Sequence, residues 1–209
     1  MLTTETLLFI LLAYLTGAFP SAVWVGKTFY KIDVREFGSG NAGATNTFRV
    51  LGKKAGIPVL IMDIFKGWIC INYISFLKNI PQTHEAVFEI QLAFGIAAVI
   101  GHLFPVYTGF RGGKGIATLL GLLIGLHFFA ALYSILVFVI ILITSKYVSL
   151  SSIIASIAFP VFVVLILGST NLSLNLFAYF VPVLSLITHQ KNIERLLRGV
   201  ETKVKFGKK

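Results

Sequence analysis

The sequence predicts an all-α fold: a polytopic membrane bundle of about seven transmembrane helices. Three observations carry that prediction. Hydrophobic residues make up 56% of the 209-residue chain and charged residues only 12%, too little charge to cover the core of a soluble domain this size. Several runs near 20 residues carry almost no charge, which is the length a helix needs to cross the hydrocarbon layer. The basic residues behind the net charge of +10 gather between those runs. Membrane topology accounts for them there, so no nucleic acid is expected as a partner. No internal repeat or linker divides the chain, and residues 1–209 read as a single integral membrane domain.

The first span, 6–25, has Glu5 and no Lys or Arg before it, so it lacks the basic start of a secretory signal and reads as an uncleaved helix. The segment from Gly26 to Ala55 carries Lys27, Lys31, Arg35, Arg49, Lys53 and Lys54 and belongs on the cytoplasmic side, with the N-terminus outside. The next spans are 56–77 and 86–107. The loop between them has only Lys78 and falls outside, which returns Arg111 and Lys114 to the cytoplasm. Spans 149–168 and 173–189 follow, and then a tail with Lys191, Arg195, Arg198, Lys203, Lys205, Lys208 and Lys209.

The apolar stretch 115–145 is long for one span and short for two. A single helix would put the basic tail outside. A hairpin puts the tail and Lys146 inside, so the hairpin is the expectation, with its turn near Gly121, Gly125 and His127. Each arm would have about 15 residues, or about 23 Å, shorter than the ~30 Å hydrocarbon layer and in need of bilayer thinning or protein neighbours.

Polar chemistry then collects on the cytoplasmic face. The stretch "GSGNAGATNTFR", 38–49, sets glycines at 38, 40 and 43 among Ser39, Asn41, Thr45, Asn46 and Thr47, with Arg49 at its end. Glycine lets backbone amides approach a ligand, the neutral side chains donate, and Arg offers a fixed fork for phosphate or carboxylate. The second segment, "GFRGGKGIATLLG", 109–121, places four glycines with Arg111 and Lys114 before a helix starting near Ile116, which makes an anion site of backbone amides. It is not the P-loop pattern, because Gly115 follows Lys114 where Ser or Thr is required. The third, "HQKNIERLLRGVE", 189–201, puts His189 and Asn192 on one helical face beside an amphipathic basic surface. Ser149 in "SKYVSLSS" reads as an N-cap or as a site residue at a helix entrance. Asp63 and Lys66, three apart inside a span, read as a mutual ion pair, with Lys66 also able to lend charge to the anion site. His102 reads as a packed histidine, and His84 receives no role.

Several patterns are missing. The sequence has no H-E-x-x-H, no G-x-S-x-G, no H-x-x-x-x-D pair and no carboxylate cluster for magnesium. Cys70 stands alone, so no internal disulfide or Cys₄ site is possible. Neither a metal nor a cofactor is expected.

Taken in order over a seven-span chain, "GSGNAGATNTFR", "GFRGGKGIAT" and "HQKNIERLLRG" resemble the bacterial acyl-phosphate:glycerol-3-phosphate acyltransferase family, often called PlsY, with "DIFKG" and "KYVSL" as further family-like features. The resemblance runs over essentially the whole chain. It implies transfer of a fatty acyl group from acyl phosphate to the 1-hydroxyl of sn-glycerol-3-phosphate, giving lysophosphatidic acid and phosphate, the first step of bacterial phospholipid synthesis. It also implies an inner-membrane location among membrane lipids, and a partner enzyme that makes the acyl phosphate. By motif match, Arg49 and Lys114 hold phosphate. Ser39, Asn41 and Thr45, with Asn46 beside them, orient substrate or stabilise the oxyanion, while the amides of Gly112, Gly113 and Gly115 cradle a phosphate near Lys66. Ser149, His189 and Asn192 complete the glycerol-phosphate pocket. The base is left open between His189 and a substrate phosphate oxygen. The alternative is a transporter of a phosphorylated metabolite. It would place its site at the midplane between inverted repeats, and the sequence offers neither.

Overall fold

The computed structural model describes residues 3–204. Of the tail cations, Lys205, Lys208 and Lys209 lie outside the described residues. Among the described residues the secondary structure is helical throughout, without a strand. The chain divides into two compact units, residues 1–126 and 127–209.

The first unit starts with α1 (Thr4–Gly17), capped by the Thr3 hydroxyl, which accepts from the Thr6 amide at 3.1 Å. The expected single span 6–25 is broken. α2 (Ser21–Tyr30) leaves α1 at 42°, because Pro20 removes a helical donor and disfavours helix at the residue before it. α3 (Ala44–Leu51) is short, and α4 (Lys53–Ile71) is the central helix, packed against α1, α2, α3, α5 (His84–Leu103) and α6 (Ile116–Leu126).

The tightest of these crossings is α4 with α6. A Cβ on Gly67 would run into the backbone carbonyl of Thr118, and one on Gly121 into that of Ile64. Small residues let apolar helices approach to backbone contact, where dispersion replaces the hydrophobic drive that lipid removes. This corrects the reading of Gly121 and Gly125 as turn residues. Both lie inside α6; a Cβ on Gly125 would meet Ile71 of α4. The turn is at His127 alone, whose Nδ1 accepts from the Ala130 amide at 3.4 Å and caps α7 (Phe128–Ser145).

The two arms of 115–145 are therefore unequal. α6 has 11 residues and α7 has 18. At 1.5 Å per residue α6 spans only about 17 Å, so it relies on α4 rather than on its own length. α7 carries no charged residue and only 11% of it is buried within the protein, which leaves Leu136, Ile140 and Ile143 exposed and suited to a hydrocarbon solvent.

In the second unit α8 (Val148–Pro160) runs on into a π-helical turn, Val161–Ile166, and packs against α7 and α9 (Leu172–Thr188). α10 (Gln190–Leu197) bends away from α9 by 65° at His189. Among the described residues four helices are long and apolar enough to cross a membrane, or up to six if each bent pair counts as one span.

Gly121→Ala should lower the unfolding temperature of the detergent-solubilised protein, consistent with an overpacking cost of about 1–3 kcal/mol. Leu165→Ala, at a 75% exposed position, should change stability by no more than about 0.5 kcal/mol.

Candidate functional site

In the first unit the two glycine segments lie side by side. A Cβ on Gly43 would sit 4.0 Å from the Cα of Gly113. A second tie joins the same regions. Arg35 forks onto Asp33, Nε to Oδ1 at 3.0 Å and Nη2 to Oδ2 at 2.8 Å, and gives Nη1 to the Thr108 carbonyl at 3.1 Å. The Arg35 guanidinium holds the Asp33 carboxyl well below the usual carboxylate range against the opposing effect of burial, with Lys27 adding to it from 3.2 Å. Arg35 and Asp33 were invisible to motif reasoning, which counted Arg35 only as a topological charge.

The loop before α3 is shaped by Asn46. Its Oδ1 accepts from the amide and hydroxyl of Ser39 at 2.9 and 3.1 Å, and its Nδ2 donates to the carbonyls of Val34 and Phe37 at 2.8 and 3.1 Å. All four bonds of the amide go to the chain itself, so Asn46 builds the loop. Gly38, at φ +63°, brings its backbone where a Cβ would strike that same Oδ1. Thr45 and Arg49 share the exposed face of α3, one turn apart. Asn41 is half-buried next to Gly43.

The second loop closes onto the end of α5. The Gly113 amide donates to the His102 carbonyl at 3.1 Å, and Gly115, at φ +78°, turns the chain into α6 at Ile116. Lys114 is half-buried and Arg111 exposed. A small cleft of about 10 Å³ lies where Gly112 and Gly113 face the bend of the first span, with Ser21, Ala42, Lys66 and His102 on its walls. The Ser21 hydroxyl is buried there without a partner. Lys66 is buried too. Its Nζ lies 2.9 Å from Asp63 Oδ1 and donates to the Phe19 carbonyl at 3.1 Å, so the Asp63–Lys66 pair is as the spacing predicts. His102 joins it, with Nδ1 at 3.6 Å from Asp63 and 3.1 Å from the Thr118 hydroxyl.

The second unit carries Ser149 and Asn192 on one carboxylate. Glu201 Oε1 accepts from Ser149 Oγ at 2.8 Å and Asn192 Nδ2 at 2.6 Å, while Oε2 takes Arg195 Nε at 2.6 Å. Ser149 is thus not a cap: the N-cap of α8 is Tyr147, and Ser149 turns its hydroxyl to Glu201. The Val204 amide donates to the Lys146 carbonyl at 2.8 Å, which pins the segment that carries Glu201. Burial pushes the Glu201 carboxyl up, but the three donors outweigh it and the group sits below its usual range. His189 is buried, and its Nδ1–H donates to the Ser185 carbonyl at 2.8 Å. That fixes the tautomer and makes Nε2 the lone-pair nitrogen of the neutral ring. Sequence reading missed Glu201, since no spacing rule pairs it with Ser149, 52 residues away. Among the described residues no group of three or more His, Cys, Asp or Glu is arranged to hold a metal.

A depressed carboxyl adds stability above its unfolded pKa and loses it as pH falls through the folded value. Glu201→Gln should therefore unfold at a lower temperature than wild type at pH 7. The gap should close on acidification below about pH 4, as read by thermal unfolding across pH.

The glycerol-3-phosphate acyltransferase family model matches residues 7–199. A glycerol-3-phosphate acyltransferase of Enterococcus faecalis is 42% identical over 97% of this chain and 94% of its own length. One from Staphylococcus aureus is 41% identical over 94% and 96%. The crystal structure of PlsY, an integral membrane glycerol 3-phosphate acyltransferase, in its glycerol 3-phosphate form superposes with a TM-score of 0.85 at 34% identity over 96% of both chains. Its lysophosphatidic acid form gives 0.81 at 33%. The chain belongs to the glycerol-3-phosphate acyltransferase family.

Proposed function

Starting from that family membership, we propose that the protein is an integral membrane acyltransferase that moves a fatty acyl group from acyl phosphate to the 1-hydroxyl of sn-glycerol-3-phosphate, releasing lysophosphatidic acid and inorganic phosphate. The observation that carries this reading is the contact of two glycine-rich loops, 38–43 and 109–115, in one unit, with Arg49 and Lys114 on the adjoining segments. Both substrates are phosphates, and two neighbouring loops of backbone amides and cations suit them. The transporter reading falls with membership of an acyltransferase family.

The chemistry needs little from the protein beyond placement. The glycerol hydroxyl oxygen bonds to the acyl carbonyl carbon, a tetrahedral oxyanion forms, and the bond to the phosphate oxygen breaks with its electron pair leaving on phosphate. Acyl phosphate is already activated, so a covalent nucleophile is not required. Loop amides, Ser39, Asn41 and Thr45 supply orientation and oxyanion stabilisation, and Arg49 and Lys114 carry phosphate charge. Asn46 acts through Ser39, whose amide and hydroxyl it holds. Lys66 shares its charge with Asp63 and lines the same cleft as Gly112 and Gly113; the Gly113 amide is taken by the His102 carbonyl, so of the three loop amides those of Gly112 and Gly115 are the ones proposed for phosphate. Ser149, His189 and Asn192 of the second unit keep the glycerol-phosphate roles that the resemblance gives them. The hydroxyl proton passes to His189 Nε2 or to a substrate phosphate oxygen.

The same proposal places the protein in the bacterial inner membrane with the reaction at the cytoplasmic face, the N-terminus outside and the C-terminus inside. Seven crossings require the short α6 to cross in addition to the four long helices and the two bent pairs, and the basic segments support the orientation. An enzyme that makes acyl phosphate supplies the donor.

Purified protein with palmitoyl phosphate and glycerol-3-phosphate should release phosphate and lysophosphatidic acid together, whereas palmitoyl-CoA should give no product. Arg49→Ala and Lys114→Ala should each lower the rate about 100-fold or more without loss of fold. Equal turnover with palmitoyl-CoA, or phosphate release that does not need glycerol-3-phosphate, would overturn the assignment.

A further inference from the structure

His102 lies inside an apolar helix, where an ionisable side chain is costly and marks function or a partner. Its partners come from two other helices. Nδ1 is 3.1 Å from Thr118 Oγ1 of α6 and 3.6 Å from Asp63 Oδ1 of α4, and Asp63 is itself held by Lys66 at 2.9 Å. Two elements therefore fix the ring, which is buried at 6% exposure.

The opposite side of the same residue meets the second glycine loop. The His102 carbonyl, one of the acceptors that the end of α5 leaves unsatisfied, takes the Gly113 amide at 3.1 Å. A Cβ on Gly113 would strike the imidazole at Nε2, and a Cβ on Gly112 would strike the His102 and Leu103 carbonyls. The glycines at 112 and 113 thus answer to His102: the loop lies directly on this residue, and any side chain would lift it away.

We propose that His102 is a positioning residue of the reaction. Its fixed ring and carbonyl set the height of the Gly112–Gly113 backbone, and Asp63, Lys66 and Thr118 act on the substrate phosphate through it. The inference rests on the phosphate-cradle reading of this loop. It goes beyond that reading by tracing the geometry of the loop backbone to a residue outside all three motifs and to a network buried beneath it.

The test is a double-mutant cycle between His102→Asn and Gly113→Ala. Asn keeps a donor where Nδ1 was, facing Asp63 and Thr118, but removes the ring edge under Gly113. In the wild-type background Gly113→Ala should raise KM roughly tenfold for one phosphate substrate, each substrate being varied in turn, with kcat less affected. In the His102→Asn background the same change should cost less than about twofold, because the collision is gone. His102→Asn alone, and Thr118→Val alone, should each raise that KM by roughly two- to fivefold. An equal factor for Gly113→Ala in both backgrounds overturns the proposal. So does a wild-type KM in both His102→Asn and Thr118→Val.

Thermal unfolding of the same four cycle proteins gives an answer independent of turnover. Gly113→Ala should lower the unfolding temperature only where His102 is present, and an equal drop in both backgrounds refutes the contact. A wild-type protein that makes no lysophosphatidic acid would fail the functional reading while the unfolding cycle still decides the contact.

Discussion

The buried Asp63–Lys66 pair is the constraint from which the first unit is organised. Both residues sit on α4, the helix that touches every other helix of that unit, and both are taken out of water. Removing one partner of such a pair strands a buried charge and costs about 3–5 kcal/mol, so the neighbours must preserve it. The bend after α1 supplies the Phe19 carbonyl to Lys66, α5 brings His102 to Asp63, and α6 brings Thr118 to His102. One polar cluster thus sets the position of four segments that apolar packing alone would leave free to slide. The glycine contacts at 67 and 121 serve the same end from the apolar side, because backbone-to-backbone approach of α4 and α6 admits one register.

The second unit meets a similar problem with one carboxylate. Ser149, Asn192 and Arg195 lie on α8 and α10, and Glu201 gathers them by folding back the segment after α10. The buried Ser149 hydroxyl would otherwise lose this acceptor, at a cost of about 1–3 kcal/mol. In both units, then, residues proposed for substrate stand on polar groups bonded to the protein itself. Ser39 rests on Asn46, the Gly112–Gly113 backbone on His102, and Asn192 on Glu201. Such support keeps first contacts in place when a small anion is the ligand and there is little area to orient it.

Much of the architecture was legible in the chain. Apolar run length gave the helical runs 53–76, 84–108 and 148–166 to within about three residues, and the spacing of Asp63 and Lys66 gave their pairing. The helix start at Ile116 followed from the glycines before it. Gly121 and Gly125 misled, because glycine marks a turn and a close helix crossing alike, and only the facing Ile64 and Ile71 of α4 tell them apart. Ser149 was ambiguous in the same way, readable as a cap or as a site residue, and only its bond to Glu201 removes the cap.

The sequence by itself determined what depends on neighbours along the chain: an apolar helical protein, its basic segments, three glycine- and amide-bearing motifs, and from them the family. Tertiary structure decided what depends on partners far away in number. It put Gly43 against Gly113, gave Arg35 to Thr108, set His102 beneath a loop and made Glu201 the common acceptor of Ser149 and Asn192. The reason is physical. Helix formation and membrane insertion are scored locally, by hydropathy and backbone hydrogen bonds, whereas the partner of a buried polar group is chosen by whichever segment the packing brings within about 3 Å.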